Sequence, residues 1–125
     1  MNINPIPGGA CAPKGFTANG LHCGIRKNKT KPDLALLVSA VPAAAAAIYT
    51  TNLVKGAPLL VTKKNLQNGQ ARAVICNSGN ANTCNADGIA IASGMCRLVQ
   101  EHTGIPAAEV VVASTGVFGE PLSLT

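Results

Sequence analysis

A layered mixed α/β fold is what this sequence predicts, on three observations. Three apolar runs of strand length, LALLVSA from Leu34, RAVICN from Arg72 to Asn77 and EVVVA from Glu109, are too short for helices. Between the second and third runs lies one segment with helical spacing, so that strand, loop, helix and strand follow one another as in layered α/β folds. A chain of 125 residues with 47% hydrophobic content and few charges is enough for one core, and residues 1–125 show no internal domain boundary.

The elements follow in chain order. Met1 to Gly20, with three prolines and four glycines, reads as an irregular arm over a surface, anchored by Phe16. LALLVSA suits a strand buried on both faces, and Pro42 punctuates it. AAAAAIYTTN after that proline reads as a second strand, because the alanines mark no amphipathic helix and the β-branched and aromatic residues at its end favour extension. APLLVTKKNL opens a short helix with Pro58 in its first turn, and Asn68-Gly69 turns the chain into the Arg72–Asn77 strand.

After the polar loop SGNANTCNADG, Asp87 is placed to cap a helix from Gly88 to His102 that stops at Gly104. Its core face is Ile89, Ala92, Cys96 and Val99, and its outer face Arg97, Gln100 and Glu101. Pro106 separates it from EVVVA, which runs into the Gly-rich stretch STGVFGEP.

Composition excludes several function classes. Aromatics make up only 2% of the chain, so small side chains must fill the core and backbones must approach closely. The same scarcity argues against nucleic acid: the net charge of +5 is concentrated at Arg26, Lys27, Lys29 and Lys31, with only Phe16, Tyr49 and Phe118 to stack on bases, so this stretch reads as a solvated basic loop. No apolar run reaches the roughly 20 residues of a membrane span. Five cysteines, Cys11, Cys23, Cys76, Cys84 and Cys96, show no CxxC spacing and no secretory segment precedes them. They read as small buried thiols in a reducing cytoplasmic setting, without disulfides, metal or cofactor.

Two segments concentrate small polar residues where an apolar strand ends, a common ligand position in layered α/β proteins. NSGNAN, Asn77 to Asn82, offers amides and a glycine that either expose backbone N–H groups or simply satisfy their own turn. STGVFG, Ser114 to Gly119, places the Thr115 hydroxyl beside Gly116, a donor pair suited to an oxyanion and equally compatible with a plain glycine turn. Nucleophiles are poorly supported: no spacing brings Cys76, Cys84 or Cys96 to His22 or His102. His102, at a helix end, suits a capping role. Asp33, Asp87, Glu101, Glu109 and Glu120 form no acid/base or metal set, and no phosphate loop is present.

The ordered segments GFTANGLHCGIRKNKTKPDLALL, AAAAAIYTTNLVKGAPL, VICNSGNANTCNADG and VVVASTGVFGEPL resemble the N-terminal region of the ornithine acetyltransferase family, also called glutamate N-acetyltransferases, from Gly15 onward. The resemblance implies a layered α/β sandwich distinct from the usual N-terminal nucleophile hydrolases. It also implies a precursor of arginine biosynthesis that cuts itself before a threonine, giving α and β chains. That threonine, at the start of the β chain, would take the acetyl group from N-acetylornithine and pass it to glutamate, releasing ornithine, with its own α-amino group as base. Some members accept acetyl-CoA as donor. The family's Thr-Gly oxyanion pair falls on Thr115 and Gly116, and NSGNAN shapes the site. The implied partner is the β chain of the same precursor, as an αβ heterodimer in a higher oligomer, with neither nucleic acid nor membrane involved.

The sequence departs from the family pattern at its end. It stops at Leu124-Thr125, and Thr125 follows PLSL rather than the Ala-Thr-Met-Leu-like cleavage context. The expectation is therefore the N-terminal part of an α chain, inactive alone. The alternatives are a self-processing aminopeptidase on a related scaffold, and a non-catalytic binding or structural fragment.

Overall fold

Backbone pairing in the computed structural model, which describes residues 3–125, builds one four-stranded sheet in the order β1-β2-β3-β4. The strands are β1 (Phe16–Leu21), β2 (Leu34–Ala44), β3 (Gln70–Asn80) and β4 (Val110–Val117). The first three are antiparallel neighbours, and β4 lies parallel to β3. Two helices, α1 (Ala57–Asn65) and α2 (Gly88–Thr103), complete the mixed α/β fold. The β3-α2-β4 crossover explains the parallel pair, since parallel strands need a connection long enough to return the chain to the same end.

Alternation decides which side of the sheet is core. Ala73 and Ile75 of β3 and Val110 and Val112 of β4 are buried against Val61, Ala92, Met95, Cys96 and Val99 of the helices. Leu34, Leu36 and Val38 of β2 pack against the same cluster. Their neighbours Ala35, Leu37, Val74, Cys76, Val111 and Ala113 point to the other face by strand alternation, and no element among the described residues covers it. The expectation of strands buried on both faces is therefore corrected: burial here is one-sided.

Helix α1 does a second job. The Thr62 hydroxyl donates to the Val112 carbonyl at 2.9 Å and accepts the Val112 N–H at 3.0 Å. Asn65 Nδ2 donates to the Val110 and Ala107 carbonyls at 2.8 and 3.0 Å. β4 is an edge strand, and these side chains satisfy groups that a further strand would otherwise pair.

Other expectations need correction. The N-terminal arm is not irregular throughout: Phe16–Leu21 pairs with Leu34–Ser39 as β1, and Met1 and Asn2 lie outside the described residues. Pro42 does not end β2, because a register shift between Val38 and Ala43 lets the strand continue past it. AAAAAIYTTN forms no strand of its own. Ala43 and Ala44 finish β2, and the rest has no regular structure, with Ile48 fully exposed, since methyl groups alone bury too little to hold a further strand.

In α2, Ile89 is 55% exposed on the rim of the α1–α2 groove beside the exposed Leu60, and Met95 takes the core position. Asp87 contributes its carbonyl to Ile91 at 3.0 Å and no side-chain cap. At the other end Gly104, in the left-handed region, donates to Gln100 O at 2.8 Å and Thr103 to Val99 O at 2.6 Å, so these two residues, rather than His102, close the helix. Of the five free cysteines only Cys96 is buried; Cys11, Cys23 and Cys84 are exposed.

Candidate active site

The two polar motifs are strand ends rather than loops, and the parallel β3–β4 ladder sets them side by side. Asn77, Ser78 and Gly79 pair in register with Ser114, Thr115 and Gly116. Close approach explains both glycines. A Cβ on Gly116 (φ 138°) would fall 2.3 Å from the Gly79 carbonyl carbon and 2.5 Å from Asn80 N, a clash with backbone that nothing can relieve by rotating a side chain. Gly79 (φ 115°) would meet Arg26 Cγ at 2.9 Å. Thr115, next to this contact, is exposed. With Ser78, Ser114, Asn77 and Asp33 it lines a hollow of about 230 Å³. A second hollow, of about 410 Å³, reaches Gly79 and Asn80 and is bounded by Met95 and residues 120–125.

The asparagines hold the end of β3 by both local and long-range bonds. Asn77 Nδ2 donates to Asn80 O at 2.8 Å, and Asn80 Oδ1 accepts the Asn82 N–H at 2.8 Å. Asn80 Nδ2 also reaches the Glu120 and Pro121 carbonyls at 2.9 and 3.2 Å, tying the segment after STGVFG to the strand. Asn82 takes φ 47°, which asparagine tolerates better than most residues, and donates to Gly88 O at 2.9 Å. Thus NSGNAN satisfies its own turn and also fixes two distant backbones. Asn77 Oδ1 and Ser114 Oγ remain buried without a partner among the described residues.

Below the strand ends sits a carboxylate that spacing gave no reason to single out. Asp33, only 2% exposed, accepts the Cys23 N–H at 2.7 Å and the Arg26 N–H at 2.8 Å. His22 Nδ1 lies 3.0 Å from its Oδ2, a close contact rather than an aligned hydrogen bond. Burial alone would push the Asp33 carboxyl up, but the Arg26 and Cys23 N–H groups, the Cys23 thiol and His22 outweigh it and hold the group well below the usual carboxylate range. The Cys23 thiol is pushed up, first by burial and then by Asp33. The Asp33 carbonyl accepts the Ser78 N–H at 2.8 Å, so the same residue fixes the 22–26 loop and the end of β3. A lone aspartate seven residues after Arg26 carries little signal; only the fold shows that the loop wraps around it.

Arg26 corrects the reading of its stretch as a solvated loop. It is half-buried and turned inward, with Nε donating to Ser78 Oγ at 3.1 Å and Nη2 donating to the same oxygen, while Lys27, Lys29 and Lys31 are exposed. The candidate cysteines do not converge. Cys96 lies in the core, its thiol pushed up by burial, and Cys84 is exposed. No group of three acidic, histidine or cysteine residues among the described residues is placed to hold a metal, and no helix among them is long and apolar enough to cross a membrane.

Comparison with known proteins places this geometry. The ArgJ family profile matches residues 17–125. The arginine biosynthesis bifunctional protein ArgJ of Symbiobacterium thermophilum is 48% identical over 121 residues, covering 95% of this chain and 30% of that protein. Its namesake from Bacillus anthracis is 46% identical, covering 94% of this chain and 29% of that protein. The chain thus spans about 30% of the length of these curated relatives.

Among solved structures, the ArgJ protein of Bacillus halodurans superposes with a TM-score of 0.82 at 43% identity, covering 87% of this chain and 57% of that one. Ornithine acetyltransferase from Mycobacterium tuberculosis, solved with ornithine, gives 0.80 at 42% identity, covering 89% and 61%. The family profile, the sequence identities and the shared fold agree: this chain belongs to the ArgJ family.

Proposed function

We propose that this chain supplies the oxyanion-stabilising segment of an acetyltransferase of arginine biosynthesis, acting with the β chain of the same precursor. The threonine nucleophile that the precursor exposes by cutting itself attacks the acetyl carbonyl of N-acetylornithine. Its hydroxyl proton passes by way of the threonine's own α-amino group to the leaving amine, the amide bond breaks, and ornithine departs. The glutamate amine then attacks the acetyl-threonine ester, its proton passes by way of the α-amino group to the threonine oxygen as the ester bond breaks, and N-acetylglutamate and the free threonine result. Negative charge develops on the acetyl oxygen in both halves, and Thr115 Oγ1–H and the Gly116 N–H are the donors assigned to it.

One observation carries this reading: the Thr115–Gly116 pair sits at a strand end whose backbone is locked against Ser78–Gly79 too tightly for any Cβ at Gly116. Donors preorganised in this way stabilise a transition state without paying for reorganisation during the reaction. The names of the relatives, and the ornithine bound to one of them, support the substrate class. The uncovered apolar face of the sheet supports a partner chain, in an αβ assembly that pairs further. Where acetyl-CoA serves as donor, it enters as a co-substrate and not as a bound cofactor.

The test is N-acetylglutamate formation from N-acetylornithine and glutamate, without CoA, by the self-cleaved precursor carrying this segment, with acetyl-CoA and glutamate in parallel. Thr115→Ala is expected to lower kcat by on the order of 10² to 10³ and to leave KM nearly unchanged. An unaltered kcat would remove Thr115 from the mechanism. A processed enzyme inactive with both donors would overturn the substrate assignment.

A further inference from the structure

We propose that Arg26 is a positioning residue for the oxyanion segment, an inference that rests on the acyl-transfer reading of Thr115 and Gly116. Three contacts place it. Its backbone N–H is held by the buried Asp33 carboxylate at 2.8 Å. Its aliphatic stem crosses Gly79 so closely that a Cβ there would lie 2.9 Å from Arg26 Cγ. Its guanidinium ends on Ser78 Oγ through both Nε and Nη2. Ser78 and Gly79 are the register partners of Thr115 and Gly116, one strand spacing away, roughly 4.8 Å.

Arg26 therefore clamps the strand end against which the donor pair is locked, and it does so from a loop that is itself pinned. Among the described residues no carboxylate forms a salt bridge with its guanidinium; the Asp33 carboxylate, which holds the Arg26 backbone, has the His22 imidazole as its neighbour. A half-buried guanidinium without a carboxylate leaves its positive charge available to negative charge developing on the other side of the ladder. Because Ser78 Oγ accepts from the guanidinium twice, its own O–H is turned away from Arg26. Ser78 and Thr115 line the same hollow, so the hydroxyl that the clamp orients and the donor hydroxyl share one space.

The test uses the self-cleaved precursor, with kcat expressed per active centre counted from the acetyl-enzyme burst, so that loss of folded or processed protein does not register. Arg26→Met is expected to lower kcat roughly 10- to 10²-fold, the scale of a misplaced catalytic group. KM should stay within about 3-fold, because ground-state binding is not what the clamp serves. Arg26→Lys, which keeps the charge but not the two-pronged contact, should recover part of the loss. In a Thr115→Ala background Arg26→Met should cost clearly less than it does alone, since one of the two donors it positions is already gone.

If Arg26→Met fails to accumulate, Ser78→Ala removes the acceptor without disturbing the loop, and a smaller loss confined to kcat is expected. Unchanged kcat per active centre in Arg26→Met, or in Ser78→Ala where Arg26→Met fails to accumulate, overturns the inference, as does a full multiplicative loss in the Thr115→Ala background. The two readings separate cleanly. Thr115→Ala without effect removes the oxyanion assignment and the clamp with it, whereas a damaged Thr115→Ala beside an unimpaired Arg26→Met removes the clamp alone.

Discussion

Gly116 and Gly94 both lack room for a Cβ, yet for different physical reasons that lead to opposite outcomes. At Gly116 the obstruction is the Gly79–Asn80 backbone and φ is 138°, so Gly116→Ala must displace a strand and adopt a strained conformation. A cost of about 3 kcal/mol or more is expected, together with loss of activity. At Gly94, inside α2, the Cβ would meet Leu124 Cδ1 at 2.3 Å, the tip of a flexible side chain that can swing aside. Gly94→Ala gains roughly 1 kcal/mol of helix propensity, which offsets that shift, and should be close to neutral. Urea unfolding of the two variants checks the contrast; equal destabilisation would show that contact distance alone, and not the nature of the obstructing atom, sets the cost.

Among the elements, β4 depends on α1 in a way that hydrophobic periodicity does not reveal. Thr62 bonds both the N–H and the C=O of Val112, and Asn65 bonds Val110, so a helix side takes the place of a neighbouring strand. Thr62→Val keeps shape and volume but strands two buried backbone groups, and should cost roughly 2 kcal/mol or more. Thr62→Ser keeps the hydroxyl, loses one methyl and should cost about 1 kcal/mol or less. Chemical-denaturation midpoints should fall in that order; a Thr62→Val variant as stable as wild type would mean that water pairs the Val112 groups instead. Since β4 carries Thr115 and Gly116 at its end, the destabilised variant should also lose activity at temperatures where the wild type keeps it.

At the level of the whole molecule, Asp33 makes stability depend on acidity. Its folded carboxyl is held well below the unfolded value of about 3.9, so the unfolded chain binds the extra proton. The stabilisation is therefore fully present above roughly pH 4 and is lost as pH falls toward the depressed folded value. Asp33→Asn should lower Tm at neutral pH, and the gap between variant and wild type should narrow as pH drops below about 4. A gap independent of pH between 2 and 7 would show that the aspartate acts only through the shape of its hydrogen bonds. The one-sided core adds a second global feature: the apolar face of Ala35, Leu37, Val74, Cys76 and Val111 has no cover among the described residues, while the helical side is closed.

By itself the sequence determined the mixed α/β class, the Gly88 helix with its Gly104 stop, the short helix at Pro58, and the strands around LALLVSA, RAVICN and EVVVA, because these are governed by local periodicity, capping and turn residues. It also held enough ordered motif to identify the family. Tertiary structure decided what depends on pairing between distant segments. The arm became β1 because β2 offered it an edge, Pro42 was tolerated by a register shift, and the alanine run formed no strand beyond Ala44. The site was half legible: NSGNAN and STGVFG stood out as polar strand endings, but their side-by-side register, the Gly79–Gly116 contact, and the Asp33 and Arg26 hub required the fold. Those residues lie 7 to 90 positions apart, and no local propensity encodes a contact made only when a parallel ladder and a wrapped loop close over it.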